Sequence, residues 1–398
     1  MKVIIIGSGH YVTGQNVLLG KQATDKDIGV ILPVVVQLYN VGIVSEIEVV
    51  GRNGTKIDRT IRAWKDRFGD SNININTYPP LNVVDECAYN KTISKSKADT
   101  VALIAVPDRM HKEVIMSCIK SNINFFVVKP AVIRLNEYLD LVKYADQNNV
   151  LGYVDYHKIF DDQNIMLKND IDKGLYGSIQ HIYSIQTQKR SMLTIYSDEI
   201  RGNKSFNVNH YLGSHYIHLT AYLTLGTPIS VRAVGQKGVC SKLYNNDCYD
   251  LIQTQVEWIS SKGEKYISYH VAGWNDPNES PTMSRQKYQL IGTNGSVDAN
   301  QDYRGLSKNI EGEGYSTPNP HYFNIQESPD IEGNFVSQYG ARSIETFIKL
   351  MKECLSGNKN TENIINRLPT LSESLHVTKI LDAADCSLRD KSSIIIID

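Results

Sequence analysis

Through the first 156 residues, short apolar runs alternate with stretches of helical spacing. Val3-Ile4-Ile5-Ile6 is an unbroken apolar run that ends in Gly7-Ser8-Gly9. A run with no polar alternation suits a strand buried on both faces, as in a parallel sheet covered by helices. Residues 46–50, 100–106, 124–128 and 151–156 read as further strands. Residues 28–40, 58–68, 111–121 and 135–148 read as the helices between them, the first capped at Thr24-Asp25-Lys26-Asp27. The alternation predicts an α/β fold, a doubly wound parallel sheet of Rossmann type over residues 1–157.

Beyond that point the period changes from helical spacing to two. Residues 178–187, 229–236, 252–259 and 265–271 alternate apolar with polar side chains, the pattern of half-buried antiparallel strands. Residues 158–398 therefore read as a second, α+β domain with an open, mostly antiparallel sheet. Tyrosine is abundant there, and an open face of this kind suits a substrate or another subunit. Residues 304–335 are rich in Gly, Pro, Asn and Ser and predict a long surface loop. Helical spacing returns at 338–355 and 371–387, and packing of these helices back on the first domain stays open.

The glycine turn is where chemistry enters. Glycine lets backbone approach a pyrophosphate, and a helix N-terminus offers unpaired N–H groups to it. The third glycine of a GxGxxG pattern would stand at position 12, which is Val12. The residue that closes the second strand normally follows by about 20 positions. Here Arg52 follows Gly9 by 43 (52 − 9), so an insertion across 10–23 is expected. His10, Tyr11 and Thr13 are candidates to help hold phosphate. An acid at the end of the second strand would favour NAD; Arg52-Asn53 places an arginine there, which can neutralise a 2′-phosphate and favours NADP.

Charge and cysteine content narrow the partners. The formal net charge is −1, so nothing in the balance calls for nucleic acid or a membrane surface. No apolar run approaches the roughly 18 residues of a membrane span, and the run after Lys2 is too short for a signal peptide. Cys87, Cys118, Cys240, Cys248, Cys354 and Cys386 form no CxxC pair and no zinc spacing. They read as reduced thiols of a cytoplasmic protein, although Cys240 and Cys248 flank a turn and could pair in an oxidising compartment.

Four further segments follow the glycine turn in order: Ala105-Val106-Pro107-Asp108-Arg109-Met110-His111, Val127-Val128-Lys129-Pro130, Asp155-Tyr156-His157-Lys158-Ile159-Phe160-Asp161 and Gly213-Ser214-His215-Tyr216-Ile217-His218. The series resembles the glucose–fructose oxidoreductase/inositol dehydrogenase (Gfo/Idh/MocA) family over nearly the whole chain. The resemblance implies that Lys129 contacts a substrate hydroxyl and the nicotinamide ribose, with Pro130 beside it. It implies that Val106, Pro107 and His111 pass close to the nicotinamide, and that His215 is the general base. Three positions depart from the family pattern: Val128 stands where a glutamate is usual, Tyr211 where an aspartate is usual, and Ile159 where an arginine is common.

The residue types fit the implied chemistry. Oxidising a carbinol removes a hydride and a proton together, so a base must reach the hydroxyl. Histidine titrates in the right range, and a lysine cation stabilises developing alkoxide. Tyr211 is a candidate auxiliary to His215. His157, Lys158, His218, Trp274 and Arg285 are candidates to contact a sugar, inositol or sugar nucleotide. No metal is expected. The first functional reading is a hydride-transferring oxidoreductase using NADP or NAD. The alternative is a non-catalytic sensor on the same scaffold, favoured by Val128 and Tyr211; redox-assisted cleavage or epimerisation would use the same residues. A homodimer or homotetramer is expected from the open sheet.

Overall fold

The computed structural model describes residues 1–14, 28–68, 73–194, 207–244, 248–328, 331–357 and 362–397. The chain divides into two compact units. One comprises Met1–Val132, Asn136–His157 and His321–Glu373; the other comprises Ile133–Leu135, Lys158–Pro320 and Ser374–Asp398.

The first unit is built on six parallel strands, β1 (Lys2–Ile6), β2 (Glu46–Val50), β3 (Ile75–Tyr78), β4 (Thr100–Ile104), β5 (Phe125–Val127) and β6 (Gly152–Val154), in the order β3-β2-β1-β4-β5-β6. β1 lies between β2 and β4, with Val3 opposite Ile47 on one side and Val101 on the other. Val3, Ile4 and Ile5 are wholly buried, which explains their unalternated run. Helices Ile31–Asn40, Gly54–Phe68 and Asp108–Lys120 follow β1, β2 and β4. The cap expected at 24–27 lies outside the described residues. Helix Ile31–Asn40 starts later than expected, behind Val30, with no side-chain cap. β3 and the short helix Ala88–Ser94 escape the sequence reading, because Ile75-Asn76-Thr77-Tyr78 has one strongly apolar residue and no clear period.

The return segment 321–373 completes this unit. Helix Tyr339–Leu355 packs on helix Ile31–Asn40, and Phe347 joins Phe126 and Tyr153 in one aromatic cluster, with ring centroids 5.3–5.8 Å apart. Residues 369–371 cover the outer edge of β6: Val154 N–H donates to Pro369 O at 2.8 Å and Leu371 N–H to Gly152 O at 3.0 Å. An edge strand covered in this way cannot template another chain.

The second unit holds a mixed sheet of β7 (Ile179–Lys189), β8 (Thr227–Gln236), β9 (Leu251–Ile259), β10 (Lys265–Asp276), β11 (Ser284–Gly292) and β12 (Ser296–Asn300), ordered β12-β11-β7-β10-β9-β8, with Ile395–Ile396 added beyond β8. The period-two reading located four of these strands. It missed that β7 and β10 pair in parallel at the sheet centre, since alternation reports which faces are wet and not strand direction. Ile252, Thr254, Val256 and Trp258 point inward from β9, while Gln253 stays exposed. Helices Ser214–Thr224 and Leu375–Arg389 pack together, and the latter lies on β8. Exposed Val234, Tyr269 and Ile291 stand on these strands.

The long loop expected at 304–335 is instead two hairpins, Lys308–Ile310 with Gly314–Ser316 and Asn324–Ser328 with Ile331–Ser337. Its turn-forming composition supplies reversals, such as Gly312 at φ +81°, and so hides the strands between them. Cys248 is disulfide-bonded, contrary to six reduced thiols, while Cys87, Cys118, Cys354 and Cys386 are free. Among the described residues no helix is long and apolar enough to cross a membrane.

Candidate functional site

The strand order reverses direction between β1 and β4, and ligands of open α/β sheets bind at the carboxyl ends of the strands at such a switch point. Gly7–Gly9 follow β1, Val106-Pro107 follow β4, Lys129-Pro130 follow β5 and Asp155–His157 follow β6. Four of the segments singled out in the sequence therefore lie at one edge of one sheet.

The two glycines of the turn do different work. Gly7 has φ +116°, and a Cβ there would lie 2.1 Å from Ala105 O; its N–H donates to Val50 O at 2.7 Å. The chain must therefore pass tightly against the end of β4. At Gly9 a Cβ would meet nothing within 4 Å. Gly9 opens the helical turn His10–Thr13, with Val12 and Thr13 N–H groups returning to its carbonyl at 3.0 Å. Open space beside a glycine backbone and a helical start is the cradle that a dinucleotide pyrophosphate requires, so these residues fit NAD(P). Val12, at the third-glycine position, is buried. The close approach that a third glycine would permit occurs at Gly29, where a Cβ would fall 2.3 Å from Val12 O.

His10 is half-buried at the start of the turn. Tyr11 and Thr13 spend their hydroxyls inside the protein. Thr13 Oγ1 donates to Ser8 O at 3.1 Å, and Tyr11 Oη donates to Asp155 Oδ2 at 2.8 Å. In this structure both hydroxyls are thus engaged within the protein. Tyr11 belongs to a network the sequence did not reveal. Ser343 Oγ donates to Asp155 Oδ1 at 2.8 Å and lies 3.1 Å from Tyr153 Oη. His157 Nδ1 lies 3.5 Å from Asp155 Oδ1, with its ring against Tyr322 and Tyr339 at 5.4 and 5.6 Å. Burial pushes the Asp155 pKa up. The charge and hydrogen bond of His157, with the bonds from Ser343 and Tyr11, outweigh it and hold the carboxyl below its ordinary range. Burial, together with the Asp155 charge, pushes the Tyr11 hydroxyl well up. The network ties the glycine turn to the end of β6.

His111 is wholly buried. Its Nδ1 lies 2.8 Å from Pro130 O and its Nε2 2.9 Å from Val106 O. It braces the loops after β4 and β5 from within; the surfaces they offer are Val106, Pro107 and half-buried Lys129. At the end of β2, Asn53 Oδ1 accepts the Lys56 N–H at 3.0 Å, so Asn53 caps a helix. Arg52 is exposed and contacts Glu86 at 3.3 Å.

In the second unit, Tyr211 lies in a π-helical turn, Asn209–Gly213, and His215 in the α-helix that follows. Tyr211 therefore stands about one turn before His215, across the π-to-α junction. Gly213 permits the turn, since a Cβ there would lie 2.1 Å from Asn209 Oδ1. The turn is anchored by residues sequence reasoning missed: Asp385 accepts from Asn207 Nδ2 at 2.7 Å and lies 2.9 Å from His210 Nε2. No local signal could have linked residues so far apart in sequence. His215 is 6% exposed and His218 4%; burial, then the neighbouring His376, pushes the His218 pKa well down. The Tyr211 ring lies 6.0 Å from that of Trp274.

Two of the candidate sugar contacts are enclosed by the fold. Trp274 has no exposed surface, and its Nε1–H donates to Gln188 Oε1 at 3.2 Å. Lys158 is 1% exposed; its Nζ donates to Gln286 Oε1 at 2.5 Å and Gln301 Oε1 at 3.4 Å and lies 4.3 Å from the Tyr216 ring centre. Nearby, Arg304 grips Asp161 through both nitrogens, at 3.2 and 2.5 Å. Burial pushes the Lys158 pKa down to about 7, opposed by Asp161 and reinforced by Arg304. Arg285 is half-exposed, 3.8 Å from Asp302, in a shallow pocket with Asp276, Tyr303 and Tyr315.

Comparison with known proteins agrees with the fold. Residues 1–156 match the family described as "Oxidoreductase family, NAD-binding Rossmann fold". The chain is 21% identical over 336 residues to scyllo-inositol 2-dehydrogenase (NADP(+)) of Bacillus subtilis (strain 168), covering 80% of this chain and 84% of that protein. The structure of scyllo-inositol dehydrogenase from Lactobacillus casei, with bound NAD(H) and scyllo-inositol, superposes with TM-score 0.66 at 16% identity, covering 100% of this chain and 98% of the other. Myo-inositol 2-dehydrogenase from Lactobacillus plantarum gives TM-score 0.65 at 16% identity, covering 100% and 99%. The glycine turn at the sheet's switch point, the Lys-Pro segment after β5, the mixed-sheet second unit and these matches lead to one conclusion: residues 1–156 form a Rossmann domain of the Gfo/Idh/MocA oxidoreductase type, and the chain as a whole has the fold of these inositol dehydrogenases.

Proposed function

We propose that the protein transfers a hydride between a nicotinamide cofactor and a secondary hydroxyl or keto group of an inositol or related cyclic sugar, with NADP(H) preferred. The observation that carries this reading is the gathering of the glycine turn, Val106-Pro107 and Lys129-Pro130 at the carboxyl edge of the β1/β4 switch. The nicotinamide supplies the hydride exchange. In this reading Lys129 stabilises the developing alkoxide, and His215 accepts the hydroxyl proton with Tyr211 as auxiliary. Exposed Arg52 pairs with a 2′-phosphate. The open face of the second sheet is read as the contact surface of a homodimer or homotetramer, checked by light scattering.

A screen of inositols, sugars and sugar nucleotides against NAD+ and NADP+, read by nicotinamide absorbance, tests the assignment. Turnover that is abolished in His215→Ala, with cofactor binding retained, is the expected result. Tyr211 at the usual aspartate position favours the sensor reading instead. Binding of both cofactor and polyol with no hydride exchange in any combination would decide for it.

A further inference from the structure

The end of β2 carries both signs of charge. Arg52 follows Gly51, where a Cβ would lie 3.8 Å from Ser8 Oγ, so the arginine leaves the sheet beside the glycine turn. Facing it is Glu86, with Oε1 3.3 Å from Arg52 Nη1. This acid comes from the connection after β3, not from β2. The connection is fastened to the start of helix Gly54–Phe68 at several points. Gly54 N–H donates to Val83 O at 3.0 Å and Asp85 N–H to Arg52 O at 2.8 Å. Asn53 and Val84 form an antiparallel bridge, and Thr55 Oγ1 donates to Asn82 Oδ1 at 3.2 Å. A Cβ at Gly54 would lie 2.0 Å from Pro80 O, so only glycine allows this closeness. The backbone thus sets Glu86 beside Arg52. The pair is a single contact between side chains 70% and 77% exposed, an arrangement that a competing ligand displaces readily.

We infer that Glu86 is the second half of a cofactor selector: its carboxylate limits the preference for a 2′-phosphorylated dinucleotide that Arg52 creates. The inference rests on the NAD(P)-dependent reading proposed above. A 2′-phosphate gains the arginine's planar donor fork but meets the Glu86 charge as well. A free 2′-hydroxyl gains little from Arg52 and can donate to the carboxylate, as it does to the acid of NAD-selective sheets. Arg52 alone selects phosphate, Glu86 alone selects hydroxyl, and together they bring the two cofactors closer in affinity.

Calorimetric titration of the full chain with NADP+ and NAD+ tests this for the wild type, Glu86→Gln, Arg52→Ala and the double variant. Glu86→Gln should bind NADP+ about three- to tenfold more tightly, the effect of removing one exposed like charge at a few ångströms. NAD+ should bind equally or more weakly, and the gain should shrink in the Arg52→Ala background. High salt should shrink it too. An equal change for both cofactors, or no change, overturns the role of Glu86 while leaving the dehydrogenase reading intact. Failure of the wild type to bind either cofactor overturns that reading itself.

Discussion

Replacing Lys158 by methionine should remove a pH dependence from the stability of the second unit. Lys158 is wholly enclosed, and burial takes its pKa from an ordinary value near 10.5 to about 7. Between those values the unfolded chain holds a proton that the folded chain has released. The unfolding free energy therefore rises with pH there, by about 1.4 kcal/mol per unit. Below pH 7 both states are protonated and the slope from this group vanishes. A shift from 10.5 to about 7 amounts to roughly 5 kcal/mol over the full window, and to about 2–3 kcal/mol between pH 7 and 9. Methionine fills similar volume without a charge. It leaves Gln286 Oε1 without the Lys158 donor, while Gln301 Oε1 keeps the Tyr216 hydroxyl at 3.3 Å, a cost of about 1–3 kcal/mol that does not vary with pH. The assay is urea unfolding at several pH values in a Trp64→Phe background. Trp258 and Trp274, both buried in the second unit, then report that unit alone. The wild-type curve should climb relative to Lys158→Met as pH rises from 7 to 9. Parallel curves would refute the reasoning: the ammonium would then keep its proton in the fold, sustained by Asp161 and water.

Four other outcomes follow from the first unit and its glycine turn. Gly7→Ala should lose nucleotide binding and destabilise the unit, because φ is +116° and Ala105 O is 2.1 Å away. Gly9→Ala should keep normal melting while weakening cofactor binding by about tenfold, and equal effects in a paired melting and titration series would contradict the division of roles. Asp155→Asn should flatten the acid limb of this unit's stability, since a carboxyl held low contributes above its unfolded pKa and loses that contribution as pH falls through the folded value; an unchanged acid midpoint would count against the network. Lys129→Met should lower kcat/KM on the true substrate by about a hundredfold with cofactor affinity little changed, roughly 3 kcal/mol of transition-state stabilisation, and near-normal turnover would remove it from the site.

What the sequence showed and what it withheld divide along a physical line. Residues that act through local backbone were legible: Gly7 and Gly9 stand where the chain leaves a buried strand, and the Lys-Pro segment follows the next-to-last strand of the sheet. Side-chain destinations were not. Tyr11, a candidate for phosphate by its position, turns to Asp155, 144 residues away in sequence (155 − 11), which Ser343 in turn holds from the other side. Lys158 stands next to His157 in one motif, yet its amine is buried against Gln286 and Gln301, which only the folded sheet brings to it. The π turn at Asn209–Gly213 was hidden too, because it is anchored by Asp385 and by the Asn209 bond to Thr254, both from distant segments. The departures of this chain from the family pattern it resembles, at positions 128, 159 and 211, therefore have to be weighed with partners from distant segments. Tyr211 replaces a carboxylate in sequence, while Asp385 brings a carboxylate to the neighbouring His210 in space. Whether the site keeps an acid cannot be decided by inspecting one position, and the loss of aspartate at 211 is by itself a weak argument for a silent scaffold.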